Sequence, residues 1–169
     1  MPKIAFVNGS YRNIHKASIE IEDRGFQFAD GVYEVIALTN DVLIDLDFHL
    51  DRLNRSLTEI NIKWPMSRES VMAICAEVIR RNRLTQGSLY IQITRGVTAR
   101  DFSYPNGIKP SLVIYGRRSR NNQASSKAQG IKVISTRDIR WGRCDIKSIS
   151  LLASVLAKTQ ANNKIAQEA

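Results

Sequence analysis

The chain has few cysteines and prolines and no long apolar run. Its two cysteines, Cys75 and Cys144, lie far apart without metal-ligand spacing, so neither a disulfide framework nor a metal site is indicated. No apolar run approaches the roughly 20 residues that a membrane-spanning helix needs. The apolar start of the chain is too short for a signal peptide. We therefore expect a cytoplasmic globular protein without a metal ion or a membrane partner.

Acidic residues are also scarce, because 16 Asp and Glu stand against 25 Lys and Arg, for a net charge of +9. The excess is concentrated in residues 116–147, which hold nine basic and two acidic residues. Such a segment can bind nucleic acid electrostatically. However, Trp141 is its only aromatic residue, and no nucleic-acid motif is present. A basic linker beside an anion-binding site explains the pattern at least as well, so no nucleic-acid partner is expected.

Turn signals and alternating apolar residues predict an antiparallel sheet in the first part of the chain. Asn8-Gly9 separates two short strands, residues 4–7 and 10–13, and suits a type I′ hairpin turn. Residues 32–38 and 42–46 predict a second hairpin, with Glu34, Ile36 and Leu38 on one face of its first strand. Residues 17–21 alternate weakly and predict a further strand, and the acidic and glycine residues at 23–25 predict a loop.

Two amphipathic helices and two more strands complete this part. Asp47 is expected to cap a helix that has apolar residues at helical spacing and runs to about Asn61. Ser67 is expected to cap a second helix, which has Cys75 on its apolar side. Strands are predicted at residues 88–96 and 112–115. The fold class is therefore α+β: a two-layer α/β sandwich with a mainly antiparallel sheet over residues 1–116. A polar interdomain linker at 117–129 and the incomplete start of a β-rich second domain at 130–169 follow.

Lys147 is the residue best placed for chemistry. A β-branched run at residues 131–136, taken as a strand, precedes it, and a helical pattern that Ser148 or Ser150 could cap follows it. A lysine just ahead of a helix N-terminus is pushed toward its neutral amine by the helix dipole and by burial. A neutral amine can attack a carbonyl and hold it as a Schiff base. The alternative is that Lys147 is a solvated surface charge, as most lysines are.

Four stretches, in order, resemble the D-amino acid aminotransferases of the class IV (fold-type IV) pyridoxal-phosphate-dependent family. They are residues 22–34 (EDRGFQFADGVYE), 49–53 (HLDRL), 94–96 (TRG) followed by Arg100, and 145–158 (DIKSISLLASVLAK). The resemblance implies pyridoxal 5′-phosphate as cofactor, a homodimer, and a second domain of pseudo-barrel type. Family chains are longer, so this one is expected to stop within its second domain.

The resemblance also implies roles for particular residues. Lys147 would bind the cofactor and transfer protons, with Arg52 as the phosphate ligand and His49 in the network behind the cofactor. Without the resemblance, His49 and Arg52 would be taken as a surface pair.

Substrate recognition in the resembling family uses a tyrosine of one subunit with an arginine and a histidine on a loop of the other. Tyr33 and Arg100 match the tyrosine and the arginine, and Phe102 stands where the histidine is expected. A phenyl ring cannot donate a hydrogen bond, which weakens the case for a D-amino acid substrate. Outside the resemblance, Tyr33 would be an ordinary strand tyrosine and Arg100 a solvated loop charge.

The expected activity is transamination between a D-amino acid and a 2-oxo acid. We expect it to be impaired in this short chain, because Glu168 is the only carboxylate after Lys147 that could serve the pyridine nitrogen. Alternatives in the same superfamily are an R-selective amine transaminase, a branched-chain transaminase and an aminodeoxychorismate lyase. An alternative of another class is a non-catalytic fragment or a basic binding module.

Overall fold

The computed structural model describes residues 3–104, 106–119 and 130–169. The described residues form two compact units. The first unit runs to Ser119 and also includes Asp145–Ile149, and the second contains the remaining residues. In chain order the elements are β1 (Ile4–Val7), β2 (Ser10–Asn13), α1 (Arg24–Phe28), β3 (Gly31–Thr39), β4 (Val42–Leu43), α2 (Leu46–Glu59), α3 (Arg68–Asn82), β5 (Gln86–Thr94), β6 (Ser111–Arg118) and α4 (Leu152–Asn163).

The first unit is built on a six-stranded sheet in the order β2-β1-β6-β5-β3-β4. Every neighbouring pair is antiparallel, which confirms the predicted α+β class. The predicted hairpin at Asn8-Gly9 is also confirmed, since both residues have positive φ (46° and 91°) and β1 pairs with β2 on either side of them.

The core lies between the sheet and the helices α2 and α3. Along β3 the side chains of Val32, Glu34, Ile36 and Leu38 are buried, so the face predicted to hold Glu34, Ile36 and Leu38 is the one that packs in the core. The buried apolar residues of the helices are Leu50, Leu53 and Leu57 of α2 and Val71, Cys75 and Val78 of α3. This face of the sheet therefore fixes β3 and α2 against each other.

Residues 17–28 differ from the prediction, because 17–21 form no strand and 23–25 are not a loop but the start of α1. The Asp23 side chain accepts a hydrogen bond from the Gly25 amide at 2.8 Å and caps α1. It also accepts one from the Thr94 hydroxyl at 2.9 Å, and Thr94 is buried at this contact.

The starts of two other helices were also wrongly predicted. The N-cap of α2 is Asp45, with a left-handed φ of 55° and no side-chain cap, and Asp47 lies in the first turn, where its charge complements the helix dipole. By contrast, Ser67 caps α3 as predicted. In the second unit α4 begins at Leu152 after Leu151, so neither predicted serine caps it.

The second unit contains α4 and an isolated bridge between Val133 and Glu168, and the predicted strand at 131–136 does not form. Most of the predicted linker, residues 120–129, lies outside the described residues. The division into residues 1–116, 117–129 and 130–169 stays a prediction. Within the described residues, no helix is both long and apolar enough to cross a membrane.

Candidate cofactor and substrate site

A fully buried carboxylate, Glu34, organises the two candidate cofactor ligands of α2. Arg52 donates from Nε to Oε1 and from Nη2 to Oε2 of Glu34, both at 2.6 Å. The His49 Nδ1 lies 2.8 Å from Oε2 of the same carboxylate. Their spacing of three positions puts His49 and Arg52 on neighbouring faces of α2, and β3 presents Glu34 to both. His49 and Arg52 therefore share one buried partner, Glu34, and their roles toward the cofactor stay predictions.

The sequence pattern placed Glu34 on the same face of β3 as Ile36 and Leu38, but Glu34 was not among the predicted site residues. A signal was present, since a glutamate on an apolar strand face must find a partner when it is buried. A histidine and an arginine three positions apart on the next amphipathic helix were the available partners.

The guanidinium of Arg52 is only partly used by this network. The hydrogen bond with Glu34 is the main cause that raises the pKa of Arg52, and the charge of Glu34 and the nearby Tyr33 hydroxyl add to it. Its side chain is 45% exposed, and within the described residues no acceptor lies within hydrogen-bond distance of Nη1. A carboxylate thus fixes one edge of the guanidinium, while Nη1 keeps donors for an anion.

The segment that carries Lys147 is bound to the start of β3. The backbone N–H of Tyr33 donates to the Lys147 carbonyl at 3.1 Å, and the N–H of Ile149 donates to the Gly31 carbonyl at 3.1 Å. From the other side, the Lys147 N–H donates to the hydroxyl of the buried Ser56 on α2 at 3.3 Å. These three hydrogen bonds, two of them to the backbone of Lys147, fix the segment between β3 and α2.

The amine of Lys147 lies on the ring of Tyr33, with 4.1 Å between Nζ and the ring centroid. The side chain is partly buried, and within the described residues no acceptor receives a hydrogen bond from Nζ. Because α4 starts at Leu152, after four intervening residues, a helix N-terminus directly after Lys147 is not the feature that places this amine. Contacts with β3 place it instead.

Tyr33 is the first of three stacked tyrosines on the sheet face opposite Glu34. The ring centroids of Tyr33 and Tyr90 are 5.6 Å apart, and those of Tyr90 and Tyr115 are 4.9 Å apart. The Tyr90 hydroxyl donates to Oε1 of Gln92 at 2.7 Å. Burial, followed by the neighbouring Tyr115 and Tyr33, raises the pKa of Tyr90 to about 12. The stack therefore supports the ring of Tyr33 from one side.

Arg100 and Phe102 lie on the loop between β5 and β6 and pack against α1. The Arg100 guanidinium carbon is 4.6 Å from the Phe28 ring centroid, and Nη1 lies 3.4 Å from Oε1 of Gln27. The ring of Phe102 is 87% exposed, with its centroid 5.6 Å from that of Phe28. The structure thus brings Arg100 and Phe102 together on α1, and no described contact joins either of them to Lys147.

Glu168 belongs to the second unit, where it forms an ion pair with Lys158 at 3.0 Å. The hydrogen bond from Lys158 is the largest cause that lowers the pKa of this carboxyl. Glu168 is therefore a charged carboxylate with a lysine partner of its own.

Pyridoxal phosphate needs a lysine amine, donors for its phosphate and an acidic partner for its pyridine nitrogen. The residues of this site fit the first two needs. Lys147 supplies an amine that no described acceptor engages, and Arg52 supplies charged donors for a phosphate. We assign no described carboxylate to the pyridine nitrogen.

The family of this protein follows from its match to a family model and to sequence relatives. The chain belongs to the class IV amino-transferase family, whose model matches residues 31–169. It is 38% identical over 167 residues to the D-alanine aminotransferase of Bacillus licheniformis, covering 99% of this chain and 58% of that protein. It is also 37% identical over 170 residues to the D-alanine aminotransferase of Staphylococcus aureus strain N315, covering 100% of this chain and 60% of that one. The chain therefore spans somewhat more than half the length of these relatives.

Solved structures support the same fold. The branched-chain amino acid aminotransferase of Escherichia coli superposes with a TM-score of 0.87 at 21% identity, over 99% of this chain and 58% of that one. A 4-amino-4-deoxychorismate lyase from Pseudomonas aeruginosa superposes with a TM-score of 0.69 at 22% identity, over 92% and 56%. Because proteins of different activities share the architecture at such low identity, it defines the fold and not the substrate.

Proposed function

We propose that this chain carries the lysine-bearing part of a pyridoxal-phosphate-dependent aminotransferase site, which exchanges an amino group between a D-amino acid and a 2-oxo acid. The observation that carries the proposal is the attachment of the Asp145–Ile149 segment to β3 and α2, which keeps the Lys147 amine on the ring of Tyr33. The names of relatives that are 37% and 38% identical support the D-amino acid branch.

Lys147 would hold the cofactor and move protons. When bound, pyridoxal phosphate supplies an electron sink for negative charge at the substrate α-carbon. The Lys147 amine would remove the α-proton as a general base and later return a proton as a general acid. Two hydrogen bonds to its own backbone and one to that of Ile149 reduce the freedom that must be lost when the amine reaches its working position.

Arg52 would hold the cofactor phosphate through Nη1, because Glu34 already engages Nε and Nη2. Glu34 orients the guanidinium in advance, and His49 completes the network on the same carboxylate. A guanidinium held in a fixed direction is well suited to binding a phosphate.

Tyr33 and Arg100 would bind the substrate carboxylate, with Phe102 beside Arg100. Since no described contact joins Arg100 to Lys147, and since loop residues cross between subunits in the resembling family, Arg100 and Phe102 would serve the site of a second copy. The working assembly is therefore proposed to be a homodimer.

Covalent labelling tests the central assignment. Incubation of the chain with pyridoxal phosphate, followed by borohydride reduction and peptide mapping, should place the pyridoxyl mass on Lys147. Lys147→Met should abolish this label, and the matched variant Lys158→Met should retain it, because Lys158 lies on α4 and pairs with Glu168. A reduced label on any lysine other than Lys147 would refute the assignment.

One observation favours a second candidate, an R-selective amine transaminase. Phe102 occupies the place of the expected hydrogen-bond donor and presents a ring that is 87% exposed. A site with this ring keeps one charged donor for a carboxylate and offers an apolar surface instead. A comparison of D-alanine with an apolar R-amine as amino donor, by the consumption of the 2-oxo acid, decides between the two. Preference for an L-amino acid would exclude both.

A further inference from the structure

A buried arginine, Arg24, holds the backbone of the loop that carries Arg100 and Phe102. Its Nη1 donates to the carbonyl of Asp101 at 2.6 Å and to that of Ser103 at 3.3 Å, and its Nη2 donates to the carbonyl of Phe102 at 3.2 Å. Three successive carbonyls immediately after Arg100 thus share one guanidinium. Only a planar fork of donors can serve them together.

The position of Arg24 is itself fixed by a buried cluster of charged residues. Its Nε donates to Oδ2 of Asp30 at 2.8 Å, and Arg95 binds both oxygens of the same carboxylate at 2.7 and 3.0 Å. Arg95 also donates to the carbonyl of Ile60 at 2.8 Å. Arg24 and Arg95 are 4% and 7% exposed, so this cluster is almost dry. The loop is thereby tied to the starts of α1 and β3 and to the end of β5.

The aromatic residues of the loop and of α1 extend this contact to the side chains. The guanidinium carbon of Arg24 lies 4.8 Å from the Phe28 ring centroid, and that of Arg100 lies 4.6 Å from the same centroid. Phe102 also packs on this ring. One phenyl ring therefore contacts the buried arginine and both candidate substrate residues.

Asp30 engages only the Nε of Arg24. The remaining donors are all directed at the loop. We propose that Arg24 is a positioning residue for Arg100: it fixes residues 101–103 and so sets the direction from which Arg100 meets the substrate carboxylate. The link to the carboxylate rests on the proposed function, whereas the ordering of the loop does not.

Limited proteolysis tests the ordering of the loop without any activity. Trypsin can cleave after Arg100, and the products can be followed by mass. In Arg24→Met we expect cleavage at this bond to be about 10-fold faster or more, because an exposed loop opens when its hydrogen bonds are lost. The control is Arg81→Met, which removes an arginine that packs on Tyr11 and pairs with Glu77. Because Arg81 has no described contact with the loop, this variant should leave the cleavage rate unchanged.

A second variant separates the fork of donors from the charge. Arg24→Lys keeps the charge beside Asp30 but cannot reach three carbonyls, so cleavage after Arg100 should still be faster than in the unchanged chain. It is also the milder substitution if Arg24→Met does not fold. If the cleavage rates after Arg55 and after Arg100 increase equally in Arg24→Lys, the whole fold has loosened and the proposal is overturned. An unchanged cleavage rate after Arg100 would also overturn it.

Kinetics test the link to the substrate. In Arg24→Lys the KM for D-alanine should rise about 10-fold, the order expected when one well-placed hydrogen bond to a charged group is lost. The KM for an apolar R-amine without a carboxylate should rise less, because Arg100 has no carboxylate to bind on this donor. A KM that rises equally for both donors, or for neither, would overturn the link. If the unchanged chain transfers no amino group from either donor, the proposed function fails, and proteolysis alone decides the role of Arg24.

Discussion

At the residue scale, the site depends on charged groups that share a partner. Glu34 is completely buried and binds both Arg52 and His49, while Asp30 binds both Arg24 and Arg95. In each case one carboxylate fixes two nitrogen-bearing side chains. Removing one member of such a set leaves a charge without its partner inside the protein, which is costly.

We expect Arg52→Ala to weaken pyridoxal phosphate binding by about 1.5–3 kcal/mol, the usual contribution of a hydrogen bond to a charged group. The reason is the loss of the donors on Nη1 that Glu34 leaves available. Absorbance titration with the cofactor measures the affinity. Arg55→Ala, on an exposed position of the same helix, is the matched control and should bind as before. An unchanged affinity in Arg52→Ala would assign the phosphate to other residues.

Tyr90 should make the stability of the first unit sensitive to alkaline pH. Its pKa is raised from 10.0 to about 12 by burial and by the neighbouring Tyr115 and Tyr33, so the unfolded chain loses this proton first. The contribution is complete below pH 10 and is lost as the pH rises from 10 to about 12. The free energy of unfolding should therefore fall across this range, and less steeply in Tyr90→Phe.

Denaturant unfolding at several pH values measures this slope. Tyr104→Phe, which changes a tyrosine of the β5–β6 loop that is 42% exposed, is the control. If Tyr90→Phe and the unchanged chain lose stability in parallel, Tyr90 does not cause the decline.

At the element scale, the short helix α1 depends on its cap more than α3 does. Asp23 is fully buried and binds both the Gly25 amide and the Thr94 hydroxyl, whereas the Ser67 cap of α3 accepts one exposed hydrogen bond from Ser70. A methyl group on Gly25 would lie 2.2 Å from Cγ2 of Thr94, so α1 and β5 are in close contact at this point.

We therefore expect Asp23→Ala to lower the free energy of unfolding by about 2 kcal/mol or more, since it removes a cap and leaves buried donors unpaired. Ser67→Ala should cost about 1 kcal/mol, the usual value of an exposed cap. Urea titration of both variants gives the comparison. Equal losses would show that the contact of Asp23 with β5 adds nothing to the cap.

At the scale of the whole molecule, the two units differ in how well their apolar residues are covered. The first unit buries the helix stripes of α2 and α3, whereas the apolar residues of α4, Leu152, Val155 and Leu156, are 70%, 56% and 53% exposed. An uncovered apolar stripe favours association or local opening.

Amide hydrogen exchange should therefore be slow in β3, β5 and α2 and fast in α4. Addition of a partner that covers α4 should slow exchange there alone. Equal protection of α4 and α2 in the chain by itself would contradict this prediction.

In the same sample we expect transamination to stay below roughly 1 turnover per second, because we assign no described carboxylate to the pyridine nitrogen.

Local patterns predicted much of the fold. The faces of β3, the stripe of α2 and the Asn8-Gly9 turn follow from the pitch of a strand or helix and from backbone preferences, which are properties of neighbouring residues. Predictions failed where tertiary contacts decide: Asp23 reads as a loop residue until Thr94 is beside it, and residues 131–136 form no strand despite their β-branched composition.

The sequence by itself determined the family and predicted the candidate lysine and ligands, because ordered motifs and residue types are visible along the chain. Only the tertiary structure decided how they are held. Lys147 is fixed by β3 and α2 rather than by the helix that follows it, and Arg52 donates hydrogen bonds to a buried glutamate. Arg24 reaches a carbonyl 77 positions away. The physical reason is that a buried charge must find its partner wherever the fold brings one within hydrogen-bond distance, and sequence spacing does not encode that distance.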